Sequence, residues 1–187
     1  MAALILAELP FPPEGNFQVV QGDLLQEPVD AIVNAANGFL AHGGGVAGLI
    51  SRAAGPALRH ESERIVRERG PLPTGSAVVT GAGTLRYRGI IHAVGPRQGE
   101  GDEEAKLRRA LTEAFQLAAD AGWSSLSFPA VSSGIFAVPP VTCARAYLAA
   151  VRGWFASGAT GSLRLIRLCL RDRQVIEAVL AELGLRT

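Results

Sequence analysis

The chain has 187 residues, 48% of them hydrophobic and 19% charged, which fits one domain with a sizeable core and argues against disorder. Its 18 basic and 17 acidic side chains leave a net charge of +1, which gives no electrostatic footprint for duplex nucleic acid or an anionic membrane. No apolar run reaches the roughly 18 residues of a membrane span, although a locally positive pocket for a small anion is compatible with the balance.

The apolar start, MAALILAELPF, lacks a basic leader and carries Glu8, so it reads as a first strand or a packed tail and not as a signal peptide. Candidate strands then follow at Phe17–Val20, Ala31–Asn34, Ser76–Thr80, Ile90–Ala93, Leu126–Phe128 and Leu163–Cys169. Several are continuous apolar runs, as expected for strands covered on both faces. Candidate helices are Val46–Ala53, Pro56–Arg69, Glu103–Ala121, Val141–Ser157 and Arg173–Leu183. In the third, Leu107, Leu111, Phe115 and Ala118 recur at helical spacing behind the acidic start Asp102 to Glu104. Gly122 and Gly158 are candidate helix stops. Residues 68–75 and 96–102 are polar or rich in Pro and Gly and read as surface loops. Strands separated by helices predict a mostly parallel sheet between helical layers. The expectation is a single domain over 1–187, with 1–16 as an N-terminal strand or tail and no fused module. Cys143 and Cys169 fall on regular elements and read as small buried hydrophobes, so nothing asks for an oxidising compartment and the expected location is cytoplasmic.

Ligands of open α/β sheets bind beyond the carboxyl ends of the strands, and two loops there are unusual. The first runs from Asn34 to Gly48 and contains Gly43, Gly44 and Gly45 directly before a helix. Consecutive glycines at a helix N-terminus let backbone N–H groups approach a phosphate; the competing reading is a flexible turn. Asn37, deep in this loop, can offer donors and an acceptor to a sugar, whereas Asn34 reads either as a ligand contact or as a buried residue that tethers the loop. The second loop, Pro129 to Pro140, holds Ser132, Ser133 and Gly134, with Phe136 as either an aromatic platform or a core residue. Two such loops suggest a diphosphate gripped from both sides. Residues 43–48 also match the G-x-G-x-x-G fingerprint, but residues 35–42 separate them from the strand, and no acidic residue ends the next strand to hold a ribose. A G-x-x-x-x-G-K-[ST] loop is absent. The three histidines, His42, His60 and His92, have no Cys or Asp partner at ligand spacing, so no metal is expected.

Taken in order, Gly22-Asp23-Leu24, VNAAN (33–37), GGGVAG (43–48), Gly75-Ser76-Ala77, IHAVGP (91–96) and PAVSSGIF (129–136) resemble the macro domain family over nearly the whole chain from Phe17. The resemblance implies a three-layer α/β/α fold with a central mixed, mostly parallel sheet of six to seven strands. It implies an ADP-ribose site in which Asp23 and the Leu24 N–H meet adenine, although Asp23 alone also reads as a turn or cap residue. Gly43, Gly44, Gly45 and Val46 would line one side of the diphosphate, and Ser132, Ser133, Gly134, Ile135 and Phe136 the other. Asn37 would hold the distal ribose, and Phe136 would pack on it. Family members often stack an aromatic on adenine after the last strand. This chain has none there, which leaves Leu170 or the Arg171 guanidinium plane to cover the base.

The resemblance also bears on catalysis. A hydrolase branch carries Asp in the glycine loop as GGGVDG, where this chain has Ala47; the poly(ADP-ribose)-cutting branch needs a paired glutamate after that loop, and none precedes Glu61. The GGGVAG pattern is closer to a viral branch associated with mono-ADP-ribosyl hydrolysis. The implied activity is cleavage at C1″ of ADP-ribose esters of Asp or Glu, of O-acetyl-ADP-ribose or of ADP-ribose 1″-phosphate. Asn37 and Phe136 would position the ribose, water would attack with help from the ligand's own phosphate, and His42 would either assist the leaving group or serve as a loop tether. The alternative is a reader without catalysis; the lack of a visible fused module favours the enzyme. Expected partners are ADP-ribose and ADP-ribosylated proteins or metabolites, with the chain as a monomer and without a cofactor.

Overall fold

Alternating apolar runs and amphipathic helices give, in the computed structural model, which describes residues 3–158 and 161–185, a seven-stranded sheet between two helical layers. Its strands are β1 (Leu4–Phe11), β2 (Gly15–Gln21), β3 (Ala31–Ala36), β4 (Ala77–Thr80), β5 (Gly89–Val94), β6 (Ser125–Phe128) and β7 (Leu165–Leu170). The helices are α1 (Gly45–Ala54), α2 (Pro56–Arg69), α3 (Glu103–Asp120), α4 (Pro140–Ala156) and α5 (Arg173–Glu182), and a 3₁₀ turn spans Leu24–Gln26. Of the predicted MAALILAELPF segment, Leu4–Phe11 form a strand, while Met1 and Ala2 lie outside the described residues. Among the described residues no helix is long and apolar enough to cross a membrane.

The strand order is β1-β2-β7-β6-β3-β5-β4, in which β2 to β5 run parallel and only the edge strands β1 and β4 are antiparallel. The pleat divides the core. Val33, Ile91, Phe128 and Leu168 face α3, α4 and α5, where Leu107, Phe115, Tyr147 and Val179 fill the layer. Val20, Ile32, Ile90 and Cys169 face Ile50, Ala54 and Leu58 of α1 and α2. Cys143 and Cys169 are free and buried, and burial pushes their thiols up to about 11 and about 12. Gly122 and Gly158 adopt positive φ beyond the ends of α3 and α4, as helix stops do.

One buried ion pair fastens the connection between β2 and β3. Glu27, 0% exposed, accepts from Arg167 Nε at 2.6 Å and from Ser127 Oγ at 3.0 Å, and Arg167 reaches Gln18 as well. Tyr87 Oη donates to the Leu24 carbonyl at 2.9 Å, and Arg86 to that of Glu27 at 3.1 Å. The turn that carries Asp23 is therefore held to β6, to β7 and to the segment that leads into β5.

Candidate functional site

The five parallel strands β2, β7, β6, β3 and β5 end on one edge of the sheet, and their loops enclose a cleft of about 640 Å³. That is within the ~300–1,000 Å³ usual for small-molecule sites. Four strand spacings of about 4.8 Å make the cleft roughly 19 Å long. Asp23, Arg171 and Asp172 stand at the β2/β7 end, both glycine-rich loops in the middle, and Asn37, Arg97 and Phe136 at the β3/β5 end.

The middle is built from backbone. Gly44 precedes α1 without a side-chain cap, and the first-turn amides of a helix have no acceptor inside it. Among the described residues the N–H groups from Gly43 to Ala47 have no protein partner, and neither do those of Gly134, Ile135 and Phe136. The two sets face each other. Ile135, 75% exposed, reaches across so that its Cδ1 lies 3.7 Å from an ideal Cβ built on Gly44. Opposed free amides beside a helix N-terminus suit an anion with several oxygens.

Ser132 is in the left-handed region at φ 69°, a conformation that side chains rarely adopt, and its hydroxyl is buried without a partner. This turn is pinned by Val138 N donating to the Ser132 carbonyl at 3.0 Å and by Tyr147 Oη donating to that of Val131 at 2.6 Å. Gly95, at the end of β5, must be glycine for this packing, because a Cβ there would lie 2.2 Å from Ser132 Oγ. Ser133 Oγ donates to the Ala130 carbonyl at 3.1 Å, which leaves its backbone turn to shape the loop.

Asp23 does two things at once. Oδ1 accepts from Leu25 N at 3.0 Å, capping the 3₁₀ turn, and Oδ2 meets Arg171 Nη2 at 3.1 Å. Arg171 also donates from Nε to the Gly22 carbonyl at 3.1 Å, so its guanidinium is held beside Asp23 at the mouth of the cleft. Leu170 lines the same end but is only 1% exposed, so it offers little surface and the guanidinium offers more. Leu24 and Val46 also line the cleft. Asn37 lines the other half. Its Oδ1 accepts from Phe39 N at 3.0 Å and Ala41 N at 3.2 Å, while Nδ2 donates to the Ala41 carbonyl at 3.2 Å. The side chain thus shapes the loop it stands in.

Two expected site residues lie elsewhere. Asn34 shares the pleat face of Ile32, is fully buried, and donates from Nδ2 to His92 Nδ1 at 3.0 Å, away from the cleft. His42 does not line the cleft either. It turns beneath the glycine loop, where Nε2 meets Ser62 Oγ of α2 at 3.1 Å and its ring lies 5.7 Å from that of His92. Burial, then Arg59, hold its pKa below the ordinary value. Both residues tether the loop, and a role for His42 at a leaving group is corrected.

His92 is neutral for the same reason. Asn34 donates to Nδ1, so the proton sits on Nε2 and points to Thr80 Oγ1 at 2.8 Å. Burial, with His42 nearby, lowers its pKa from 6.5 to about 3. The unfolded chain therefore takes up a proton as pH falls through about 6.5 while the folded chain does not. Stability is complete above pH 6.5 and is lost toward pH 3, by about 1.4 kcal/mol per pH unit once well below the unfolded value. Urea unfolding between pH 7 and 5 should show this slope, and His92→Gln should reduce it to the part that His42 contributes.

Arg97 was not foreseen. It lies in the 96–102 stretch expected to be a plain surface loop, yet its guanidinium carbon sits 4.3 Å from the centre of the Phe136 ring and Gln98 N donates to the Phe136 carbonyl at 2.9 Å. The signal was available, since residues 95–97 follow the carboxyl end of β5. Among the residues lining the cleft the only carboxylates are Asp23 and Asp172, both at the β2/β7 end.

Comparison with known proteins gives a consistent picture. Residues 33–147 match the family model described as Macro domain. An O-acetyl-ADP-ribose deacetylase of Escherichia fergusonii is 45% identical over 133 residues, covering 70% of this chain and 75% of that protein. An uncharacterized protein of Thermotoga maritima is also 45% identical, over 85% of this chain, which spans only 27% of that longer relative. Among solved structures, an Oceanobacillus iheyensis macrodomain with ADP superposes with a TM-score of 0.87 at 30% identity, covering 95% of this chain and 94% of that one. A Trypanosoma brucei macrodomain in complex with ADP-ribose gives 0.79 at 29% identity, covering 90% of this chain and 69% of that one.

Proposed function

The chain belongs to the macro domain family, and we propose that it binds ADP-ribose in the cleft and hydrolyses esters of the distal ribose. The observation that carries this is the pair of opposed backbone loops, with free amides from Gly43 to Ala47 and from Gly134 to Phe136. They suit a diphosphate, and its two nucleoside-like arms then extend toward opposite ends. Adenine lies at the β2/β7 end, where Asp23 accepts from its amino group and the Arg171 plane covers the ring. The distal ribose lies against Asn37 and Phe136.

The reaction class is ester hydrolysis, and the finer substrate is mono-ADP-ribose on Asp or Glu. Water bonds to C1″, and the bond from C1″ to the acyl oxygen breaks with its electron pair on the departing carboxylate. The water's proton passes to a diphosphate oxygen of the ligand. Such a mechanism suits a distal end without a lining carboxylate, because it asks the protein for position and not for a base. The same lack of a carboxylate favours one competing reading, a reader that binds and does not cut.

Single-turnover release of ADP-ribose from a glutamate-modified protein separates the two. Release above the rate without enzyme, lost in Asn37→Ala, supports the hydrolase; release at that rate from a chain that binds ADP-ribose leaves the reader. For the adenine end, Asp23→Ala should weaken ADP-ribose roughly tenfold or more by calorimetry, since a hydrogen bond to a charged group contributes about 1.5–3 kcal/mol. Unchanged affinity in the folded variant would remove the adenine assignment.

A further inference from the structure

A second cavity of about 460 Å³ adjoins the cleft at its β3/β5 end. The two share Asn37, Ala41, Arg97 and Phe136 as a common wall. We infer that this second cavity is the subsite for the group attached at C1″ and that Arg97 selects an oxyanion there, a carboxylate or a phosphate. The inference rests on the proposed placement of the distal ribose at Asn37 and Phe136. A substituent on that ribose has the shared wall as its exit from the cleft.

Three observations favour an oxyanion at the wall. Arg97 forms no ion pair among the described residues, so its charge is not already matched. Its position is built, because the guanidinium rests on the Phe136 ring and the next residue is bonded to the Phe136 backbone. The cavity beyond is apolar on one side, where Phe39 is 66% exposed beside Pro71 and Leu72, and this suits the methylene groups of an acidic side chain. At Glu100, an exposed residue of the same cavity, the sign reverses. Glu100 accepts from Thr74 Oγ1 at 3.2 Å and would repel a second anion, so the favourable place for negative charge is the wall.

The chemistry follows. When water attacks C1″, the departing carboxylate or phosphate takes the electron pair of the broken C–O bond and leaves as an anion without needing a proton. The guanidinium stabilises that charge as it develops, more than it stabilises a neutral acyl ester, and it meets the already charged 1″-phosphate in the bound state too. A serine-linked substrate releases an alkoxide, which does need a proton, and the structure holds no histidine at the wall to give one.

The test compares wild type, Arg97→Gln and Arg97→Lys, each checked for an unchanged melting temperature. Affinity is measured for ADP-ribose and for ADP-ribose 1″-phosphate, and single-turnover release from 1″-phosphate, glutamate-linked and serine-linked substrates. Because Arg97 also lines the cleft, Arg97→Gln should weaken ADP-ribose itself, but by less than it weakens the 1″-phosphate. It should lower 1″-phosphate affinity or release from both oxyanion substrates roughly ten- to a hundredfold, with partial recovery in Arg97→Lys. A loss with only one of the two oxyanion substrates would identify which one the subsite takes. If wild type binds ADP-ribose and Arg97→Gln changes neither oxyanion readout, the subsite assignment is wrong and the proposed function stands. If Arg97→Gln weakens plain ADP-ribose as much as its 1″-phosphate, or wild type releases serine-linked ADP-ribose as fast as glutamate-linked, the assignment is also wrong. If wild type binds no ADP-ribose, the proposed function fails and the subsite with it. In a chain that binds without cutting, the preference for 1″-phosphate over ADP-ribose still decides.

Discussion

Gly44→Glu and Gly134→Glu should each reduce ADP-ribose affinity by about a thousandfold while leaving the fold intact. Gly44 has an extended backbone at φ −170°, which any residue adopts, and an ideal Cβ there meets only Ile135 Cδ1 at 3.7 Å. A Cβ on Gly134 meets nothing within 4 Å. Neither substitution strains the empty protein, so a loss of binding reports on what the added carboxylate displaces or repels. A carboxylate about 4 Å from a phosphate charge at an effective dielectric near 20 is worth roughly 4 kcal/mol of repulsion, and each 1.4 kcal/mol is about tenfold. Equal melting temperatures with affinity lost by calorimetry is the expected pattern. Normal binding by one variant would mean that its loop does not face the diphosphate. Gly45 is a poorer probe, because its φ of 56° makes any side chain strained whatever the ligand does.

Glu27→Ala should cost about 3–5 kcal/mol of stability, because it leaves the Arg167 guanidinium buried without its anion. Arg167 is 7% exposed and its pair with Glu27 measures 2.6 Å. For a domain of this size that loss lowers the melting temperature by roughly 6–20 °C. Replacing both partners together, as in Glu27→Leu with Arg167→Met, should recover much of the loss, since an apolar pair of similar volume removes the desolvation penalty with the attraction. A denaturant series on wild type, Glu27→Leu, Arg167→Met and the double variant checks this; an additive double variant would mean that the two groups do not act as a pair. Asp23 sits four residues before Glu27, so the single variant should also weaken ligand binding through the turn it loosens.

The architecture was legible because continuous apolar runs and 3.6-residue periodicity seldom mislead when both faces of a sheet are covered. AIV in β3 and LIRLCL in β7 read as interior strands, and they are. The glycine loop was legible for a local reason: three glycines before a helix have few other uses. What failed was side-chain direction near a strand end. Asn34 is two residues short of the end of β3, so the pleat turns it under the sheet toward His92 while Ala35 lines the cleft. His42 belongs to the same loop as Gly43, yet it packs downward on Ser62. Only the tertiary placement of α2 decides that. The Glu27–Arg167 pair joins residues far apart in the chain, and a single Arg inside an apolar run does not announce its partner. Arg97 was hidden by composition, because a polar, glycine-rich stretch reads as solvent-facing loop, which it is, and gives no sign that Arg97 rests on Phe136.

The central claim is that the two backbone loops hold the diphosphate of ADP-ribose. Calorimetric titration of the wild-type chain with ADP-ribose, ADP and adenosine tests it most directly. One equivalent of ADP-ribose should bind, ADP should bind more weakly because it lacks the distal ribose at Asn37 and Phe136, and adenosine should bind weakest because it leaves both loops empty. Adenosine binding as tightly as ADP-ribose, or no binding of ADP-ribose at all, would contradict the account.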